Sequence, residues 1–234
     1  MRKRKWWYIL LIIIITLPVL FIANAFNGNP VSKQIAKITL NNYLEEEYPE
    51  DEFHVGKPFY NFKDSGYNFE VKQIGDATQK VHDFTVTGIL GTEVTYDSIY
   101  YANLDQILIR NLESEANMEL QQLIKKEIPE MKEVEVMIEV LKGTYPSDTT
   151  WDKDLKLEKP MYIHIILNAE DLTKESVVEK AKSIQQLLNE NGYEYDRVSI
   201  NANLNDTQYG SYVKYGLGFE RDSKIRERDV EEFE

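Results

Sequence analysis

A short stretch of this chain concentrates six carboxylates, the group that binds hard metal ions. Residues 43–55 read YLEEEYPEDEFHV, and the six acidic side chains are Glu45, Glu46, Glu47, Glu50, Asp51 and Glu52. Calcium takes several carboxylate oxygens, and extracellular calcium sites can be weak. The stretch lacks the spacing of an EF-hand loop, and a solvated helix end explains the same residues. We therefore expect no cofactor, and weak calcium binding stays as the alternative.

A second stretch favours the helix-end interpretation. LIKKEIPE at residues 123–130 repeats the apolar positions and the proline of YLEEEYPE at residues 43–50. The second copy has two lysines where the first copy has two glutamates. The shared pattern therefore requires a polar face at the end of a helix, and it does not require a particular charge.

Other motifs that carry chemistry are missing from the sequence. The chain has no cysteine, which excludes disulfides, thiolate nucleophiles and cysteine-ligated metals. His54, His82 and His164 stand apart and do not form a metal-binding pattern such as HExxH. The chain has neither a Gly-x-Ser-x-Gly elbow nor a glycine-rich phosphate loop, and Gly216-x-Gly218 indicates a kink or close packing within a strand. We therefore predict that the protein is not an enzyme.

The best candidate for a binding surface is a long connection at residues 141–158. Its 18 residues are many for a link between two strands, and long loops often carry function. Within it, Tyr145, Trp151, Asp152 and Asp154 are the candidate partner-binding residues. The alternative is a flexible loop with one packed tryptophan.

A cluster of tyrosines is a second candidate for a contact surface. The chain has 15 of them, and Tyr96, Tyr100 and Tyr101 cluster in one predicted strand. Such a strand would place Tyr96 and Tyr100 on one face and Tyr101 on the other. Exposed tyrosines favour contacts with proteins or glycans, although packing within a small sheet explains the same residues.

The charge of the chain limits its partners. The formal net charge is −13, and four basic residues precede the first apolar run. An acidic surface repels the phosphates of nucleic acids and of anionic lipids. A nucleic-acid partner is therefore not expected.

The first apolar run predicts a membrane anchor. Residues 6–26 carry no charge, and 21 residues suffice to cross a bilayer core of about 30 Å. The basic residues of the stub at 1–5 predict a cytoplasmic N-terminus, with the remaining domains extracellular. The alternative is a signal peptide cleaved after Ala23-Asn24-Ala25. We expect a single-pass protein of the cell membrane.

The elements that follow predict two small α+β domains. In residues 30–102, Asn29 and Pro30 begin a helix that ends before Pro49, and an antiparallel sheet with a hairpin turn at residues 63–66 follows. The period-3.6 and period-2 apolar patterns of residues 103–220 predict the order α-β-β-α-β-β. This order is typical of a two-layer sandwich with its helices on one sheet face. The charged tail at 221–234 predicts a short exposed helix.

Two segments of the first domain resemble a known family. NGNPVSKQIAKITLNNYLEEEYP, after a basic N-terminus and an apolar helix, and YNFKDSGYNFEVK at residues 60–72 resemble the YfjL-like proteins of Bacillus and relatives. The resemblance implies a membrane-anchored protein of a Gram-positive host, and it transfers no catalytic residue. A helix followed by an antiparallel sheet is also similar to the PepSY modules of exported bacterial proteins, at the level of fold alone.

We therefore predict a non-catalytic, extracytoplasmic module that binds a protein partner at the cell envelope. Two alternatives remain open from the sequence. The first is a folding or inhibitory module for an exported protease. The second is an envelope hydrolase with an unrecognised carboxylate site.

Overall fold

The computed structural model describes residues 2–88, 90–206 and 210–233 of the chain. The chain divides into two compact units, Met1–Ala102 and Asn103–Glu234, which we call unit 1 and unit 2. Each unit has its own sheet and its own buried apolar residues, so each is described by itself.

Helix α1, Arg2–Asn27, covers the first apolar run. Spanning a bilayer takes about 20 consecutive, predominantly apolar residues. Within the described part of the chain, no helix combines the length and the apolar character that a membrane crossing requires. The predicted single-pass anchor over residues 6–26 is therefore wrong, as are the membrane localisation and the membrane partner derived from it.

Helix α2, Pro30–Glu47, begins as its sequence predicted. The side chain of Asn29 accepts the backbone N–H of Ser32 at 2.8 Å, and Pro30 occupies the first turn, where its missing N–H costs nothing. Ala36, Leu40 and Leu44 recur every four residues and are buried against the sheet of unit 1.

The sheet of unit 1 has five strands, β1 Phe53–Val55, β2 Phe59–Asn61, β3 Gly66–Gln73, β4 Val81–Thr87 and β5 Glu93–Asp97. All pairs are antiparallel, with β1, β3, β4 and β5 in that order and β2 also paired with β3. Alternate residues of β3 and β4 face α2, so the period-2 pattern in the sequence identified the core face.

The predicted tyrosine strand ends earlier than expected. Asp97 closes β5, and its Oδ1 accepts the backbone N–H groups of Ile99 at 2.7 Å and Tyr100 at 3.0 Å. These bonds cap a short helix, α3 Ser98–Ala102. Tyr100 and Tyr101 therefore lie on a helix, and the predicted division of the tyrosines between two strand faces is wrong.

Unit 2 follows the predicted order α-β-β-α-β-β. The elements are α4 Gln106–Glu127, β6 Met131–Met137, β7 Met161–Asn168, α5 Lys174–Glu190, β8 Tyr195–Asp206, β9 Gly210–Phe219 and β10 Glu231–Glu232. The sheet has the strand order β10-β9-β8-β7-β6. The pair β7–β8 is parallel, because α5 crosses over between the two strands, so this sheet is mixed rather than purely antiparallel.

The tail after β9 packs onto unit 2, and it contains a short exposed helix, as predicted, in the form of a single 3₁₀ turn at Glu227–Asp229. Ile225 and Val230 are buried, and the last strand, β10, pairs with β9. The side-chain amide of Gln185 on α5 donates to the backbone carbonyls of Glu220, Arg221 and Ser223. Because most residues of the tail are charged, its sequence pattern did not indicate that Ile225 and Val230 attach it to unit 2.

Candidate functional site

The six acidic residues at the end of α2 do not converge. All six are exposed. Among the described residues, no group of three or more histidine, aspartate or glutamate side chains is placed to hold a metal ion. The arrangement corresponds to a solvated helix end followed by a turn.

A buried carboxylate lies next to that helix end. The Oδ2 atom of Asp97 accepts the hydroxyl of Tyr48 at 2.6 Å and that of Tyr43 at 3.0 Å. Burial of the two rings, reinforced by the Asp97 carboxylate, raises the pKa of Tyr43 and of Tyr48 well above the usual value. Because both hydroxyls stay protonated donors, the cluster joins α2 to the end of β5 and serves the structure of unit 1.

A row across the open face of the sheet of unit 2 brings together residue types that catalyse acyl transfer. Glu135 lies opposite His164, and His164 lies beside Ser199 in register. Among the described residues, however, no hydrogen bond joins these three side chains.

The predicted binding loop is fixed to unit 2 by specific hydrogen bonds. The backbone N–H of Trp151 donates to the Glu115 carboxylate on α4 at 2.6 Å. The hydroxyl of Tyr145 donates to the carbonyl of Lys156 at 2.9 Å, which ties the two halves of the loop together. Asp152 accepts the backbone N–H of Asp154 and forms a turn. The loop thus has a defined shape although it contains no helix or strand.

Helix α4 positions both sides of a cleft beside this loop. Glu115 holds the loop at Trp151, and one turn later Glu119 accepts the hydroxyl of Tyr193, which follows α5. Burial, reinforced by the hydrogen bond to Glu119, raises the pKa of Tyr193, so its hydroxyl remains a donor. Two carboxylates four residues apart on one helix face therefore set the distance between the two walls.

We call this concavity the loop cleft; its volume is about 480 Å³. Most of the uncharged side chains that line it are apolar, and several are half-buried. The lining comprises Trp151, Lys153, Asp154, Leu155, Lys156, Leu157, Pro160, Met161, Gly192 and Glu194. Such a mixture of apolar walls and a few polar groups is typical of ligand and peptide sites.

Two of the four predicted site residues line the loop cleft. Trp151 and Asp154 do so, whereas Tyr145 and Asp152 shape the loop behind it. Sequence reasoning missed the leucines at 155 and 157. A sequence signal for them exists, because apolar residues at 151, 155 and 157 are separated by charged ones, as in an extended segment. In the structure, the side chains at 151, 153, 155 and 157 are half-buried and those between are exposed.

The indole of Trp151 has an unusual feature. Its Nε1 is buried and has no acceptor among the described residues. Buried tryptophan N–H groups normally find a partner, and one left unpaired costs about 1–3 kcal/mol. A cleft wall thus carries a hydrogen-bond donor without an acceptor of its own.

The β6 edge of the sheet is capped by side chains of α4. Asn117 accepts the backbone N–H of Val136 at 2.7 Å, and Glu113 accepts that of Ile138 at 3.1 Å. Burial raises the pKa of Glu113, although the bond from Ile138 opposes that shift. Strand edges are natural sites for pairing with another chain, and here two of the backbone donors at this edge are already used.

A second, shallower concavity of about 660 Å³ lies over β8 and β9. Gly216 and Gly218 form part of its floor: a Cβ on Gly216 would lie 3.1 Å from the ring of Phe233, and one on Gly218 would lie 2.9 Å from the Nε of Arg197. Close packing is therefore the reason for the two glycines, as the sequence indicated. The side chains over them belong to the chain itself.

The two sheets and the loop cleft define a two-unit α+β protein with a concave surface in its second unit. Residues 3–98 match the family model of the YfjL-like N-terminal domain, and residues 115–233 match that of the YfjL-like C-terminal domain. The chain is 31% identical over 216 residues to the Uncharacterized protein YfjL of Bacillus subtilis (strain 168), with 91% of each chain covered. This chain therefore belongs to the YfjL-like family, as its sequence predicted.

Among solved structures, a DUF5037 family protein from Ruminococcus gnavus ATCC 29149 is similar at 12% identity with a TM-score of 0.22. The match covers 73% of this chain and 75% of that one. A similarity this low carries no argument about function.

Proposed function

We propose that this protein is a non-catalytic module that binds a partner protein, and that a segment of the partner occupies the loop cleft. The observation that carries the proposal is the way in which the cleft is held. Glu115 and Glu119 tie its two walls to one helix, so the cleft exists before a partner arrives. A preformed site loses less conformational entropy on binding than a flexible loop does.

The composition of the cleft favours a protein segment over other ligands. Trp151 offers a large aromatic surface, and tryptophan is among the residues that contribute most at protein interfaces. Leu155, Leu157 and Pro160 supply the apolar surface.

Site-specific photo-cross-linking in the native host tests this proposal. A photoreactive phenylalanine analogue replaces Asp154, which is exposed and lines the cleft, or Glu179 on the exposed side of α5 as the control position. We expect one discrete cross-linked protein from position 154 and none from position 179. The product is identified by mass spectrometry, and the complex is then rebuilt from the two purified proteins.

A matched pair of variants at Trp151 completes the test. Trp151→Ala removes the aromatic wall, and we expect it to reduce the cross-linked product at least fivefold. Trp151→Phe keeps a ring in place and should retain most of the product. Thermal unfolding of both variants establishes that they are folded. If position 154 yields no discrete product, or if Trp151→Ala leaves the yield unchanged in a folded protein, the proposal is wrong.

A further inference from the structure

The charges that line the loop cleft are not equivalent, because its acidic groups already have partners. Asp154 pairs with Lys153 at 3.3 Å, and Glu194 pairs with Arg221 at 3.0 Å. Lys156 has neither an ion pair nor a side-chain hydrogen bond among the described residues. Lys156 is therefore the charged lining residue that has no ion-pair partner in the part of the chain that the structure describes.

Lys156 is also held where a ligand would meet it. Its carbonyl accepts the hydroxyl of Tyr145, which fixes the backbone at this residue. Leu155 and Leu157, its neighbours on either side, line the cleft and are half-buried, whereas Lys156 is exposed. Lys156 thus adds an exposed ammonium group to a lining that is otherwise apolar at the neighbouring positions.

The charge of the whole chain makes this position selective. The formal net charge is −13, so a carboxylate approaching most of the surface is repelled. At the loop cleft, a carboxylate would instead meet the ammonium of Lys156. Opposite charges across an interface fix register and suppress wrong partners more than they add affinity.

We propose that the partner segment in the loop cleft carries a large apolar side chain next to a carboxylate. The apolar side chain packs against Leu155, Leu157 and Trp151, and the carboxylate pairs with Lys156 at the rim. This inference rests on the proposed function, because it specifies the chemistry of the segment at the same site. It predicts a preference for sequences such as Phe-Glu or Leu-Asp over Phe-Lys.

Three synthetic peptides on the full-length chain test the inference. Each is acetylated and amidated, and each contains one phenylalanine followed by glutamate, glutamine or lysine between glycines. Titrations followed by NMR of the Trp151 indole give the dissociation constants. We expect the glutamate peptide to bind several-fold more tightly than the glutamine peptide and about tenfold more tightly than the lysine peptide at low salt.

A charge reversal with a matched control assigns the effect to Lys156. Lys156→Glu should invert the order of the glutamate and lysine peptides. Lys182→Glu changes the net charge equally on the exposed side of α5, and it should leave the order unchanged. If the three peptides bind equally, or if Lys156→Glu does not alter the order, the inference is wrong while the cleft remains a binding site. If none of them binds at millimolar concentration, the inference and the peptide-binding role of the cleft both fail.

Discussion

The carboxylate of Asp97 should be the most sensitive polar position in unit 1. Only 5% of the residue is exposed, and its two oxygens accept four hydrogen bonds. Two come from the backbone of α3 and two from the hydroxyls of Tyr43 and Tyr48. A hydrogen bond to a charged group contributes about 1.5–3 kcal/mol to stability, and loss of an acceptor leaves its buried donors unsatisfied.

We therefore expect Asp97→Ala to lower the free energy of unfolding by about 3–5 kcal/mol, because four donors lose their acceptor together. Tyr48→Phe removes only the 2.6 Å bond and should cost about 1.5–3 kcal/mol. Tyr43→Phe removes the longer bond of 3.0 Å and should cost less. Urea unfolding of the full-length chain, followed by tyrosine fluorescence, measures all three.

A double-mutant cycle decides whether these residues act as one network. In the background of Asp97→Ala, Tyr48→Phe should cost less than about 0.5 kcal/mol, because the bond that it removes is already gone. If Tyr48→Phe costs the same in both backgrounds, the hydroxyl does not stabilise the protein through Asp97. The reasoning is also refuted if Asp97→Ala destabilises the protein by less than about 1 kcal/mol.

Three further predictions follow from the buried ionisable groups. Burial raises the pKa of Tyr195 to about 12, so the unfolded chain loses this proton at a lower pH than the folded chain does. The free energy of unfolding should therefore fall as pH rises from about 10 to 12. It should fall less steeply in Tyr195→Phe, as measured by urea unfolding at each pH. Burial lowers the pKa of His82, so stability should fall as pH decreases below about 6.5, and His82→Gln should flatten that slope in thermal melts. Burial raises the pKa of Glu113, so Glu113→Gln should keep the bond from Ile138 at no loss of stability at neutral pH, whereas Glu113→Ala should cost about 1–3 kcal/mol in urea unfolding.

The sequence predicted those elements that depend on neighbouring residues. The cap at Asn29, the turn at residues 63–66 and the helix end before Pro49 are local, and the structure has all three. Apolar residues at every second position likewise identified the inward faces of β3 and β7. In each case the signal lies within about ten residues, which is the range that periodicity and turn chemistry cover.

The long-range hydrogen bonds that hold the walls of the loop cleft could not be found in this way. Glu115 and Trp151 are 36 residues apart, and Glu119 and Tyr193 are 74 apart, so neither bond leaves a periodic signal. In a sequence this acidic, two more glutamates on a helix are interpreted as ordinary solvent-exposed charges. Lys156 likewise can be identified as an unpaired charge of the cleft only when the partners of Asp154 and Glu194 are known from the structure.

The arrangement of acceptors on α4 explains why a partner would meet side chains rather than a strand edge. Helix α4 has a stripe of buried apolar residues along one face. Glu113 and Asn117 lie on one side of this stripe, and Glu115 and Glu119 lie on the other. The first pair binds backbone donors of β6, and the second pair holds the walls of the loop cleft. One helix thus binds two backbone donors at the edge where strand addition would begin and supports the concavity beside it, so we expect the proposed partner segment to bind through side-chain contacts in the loop cleft.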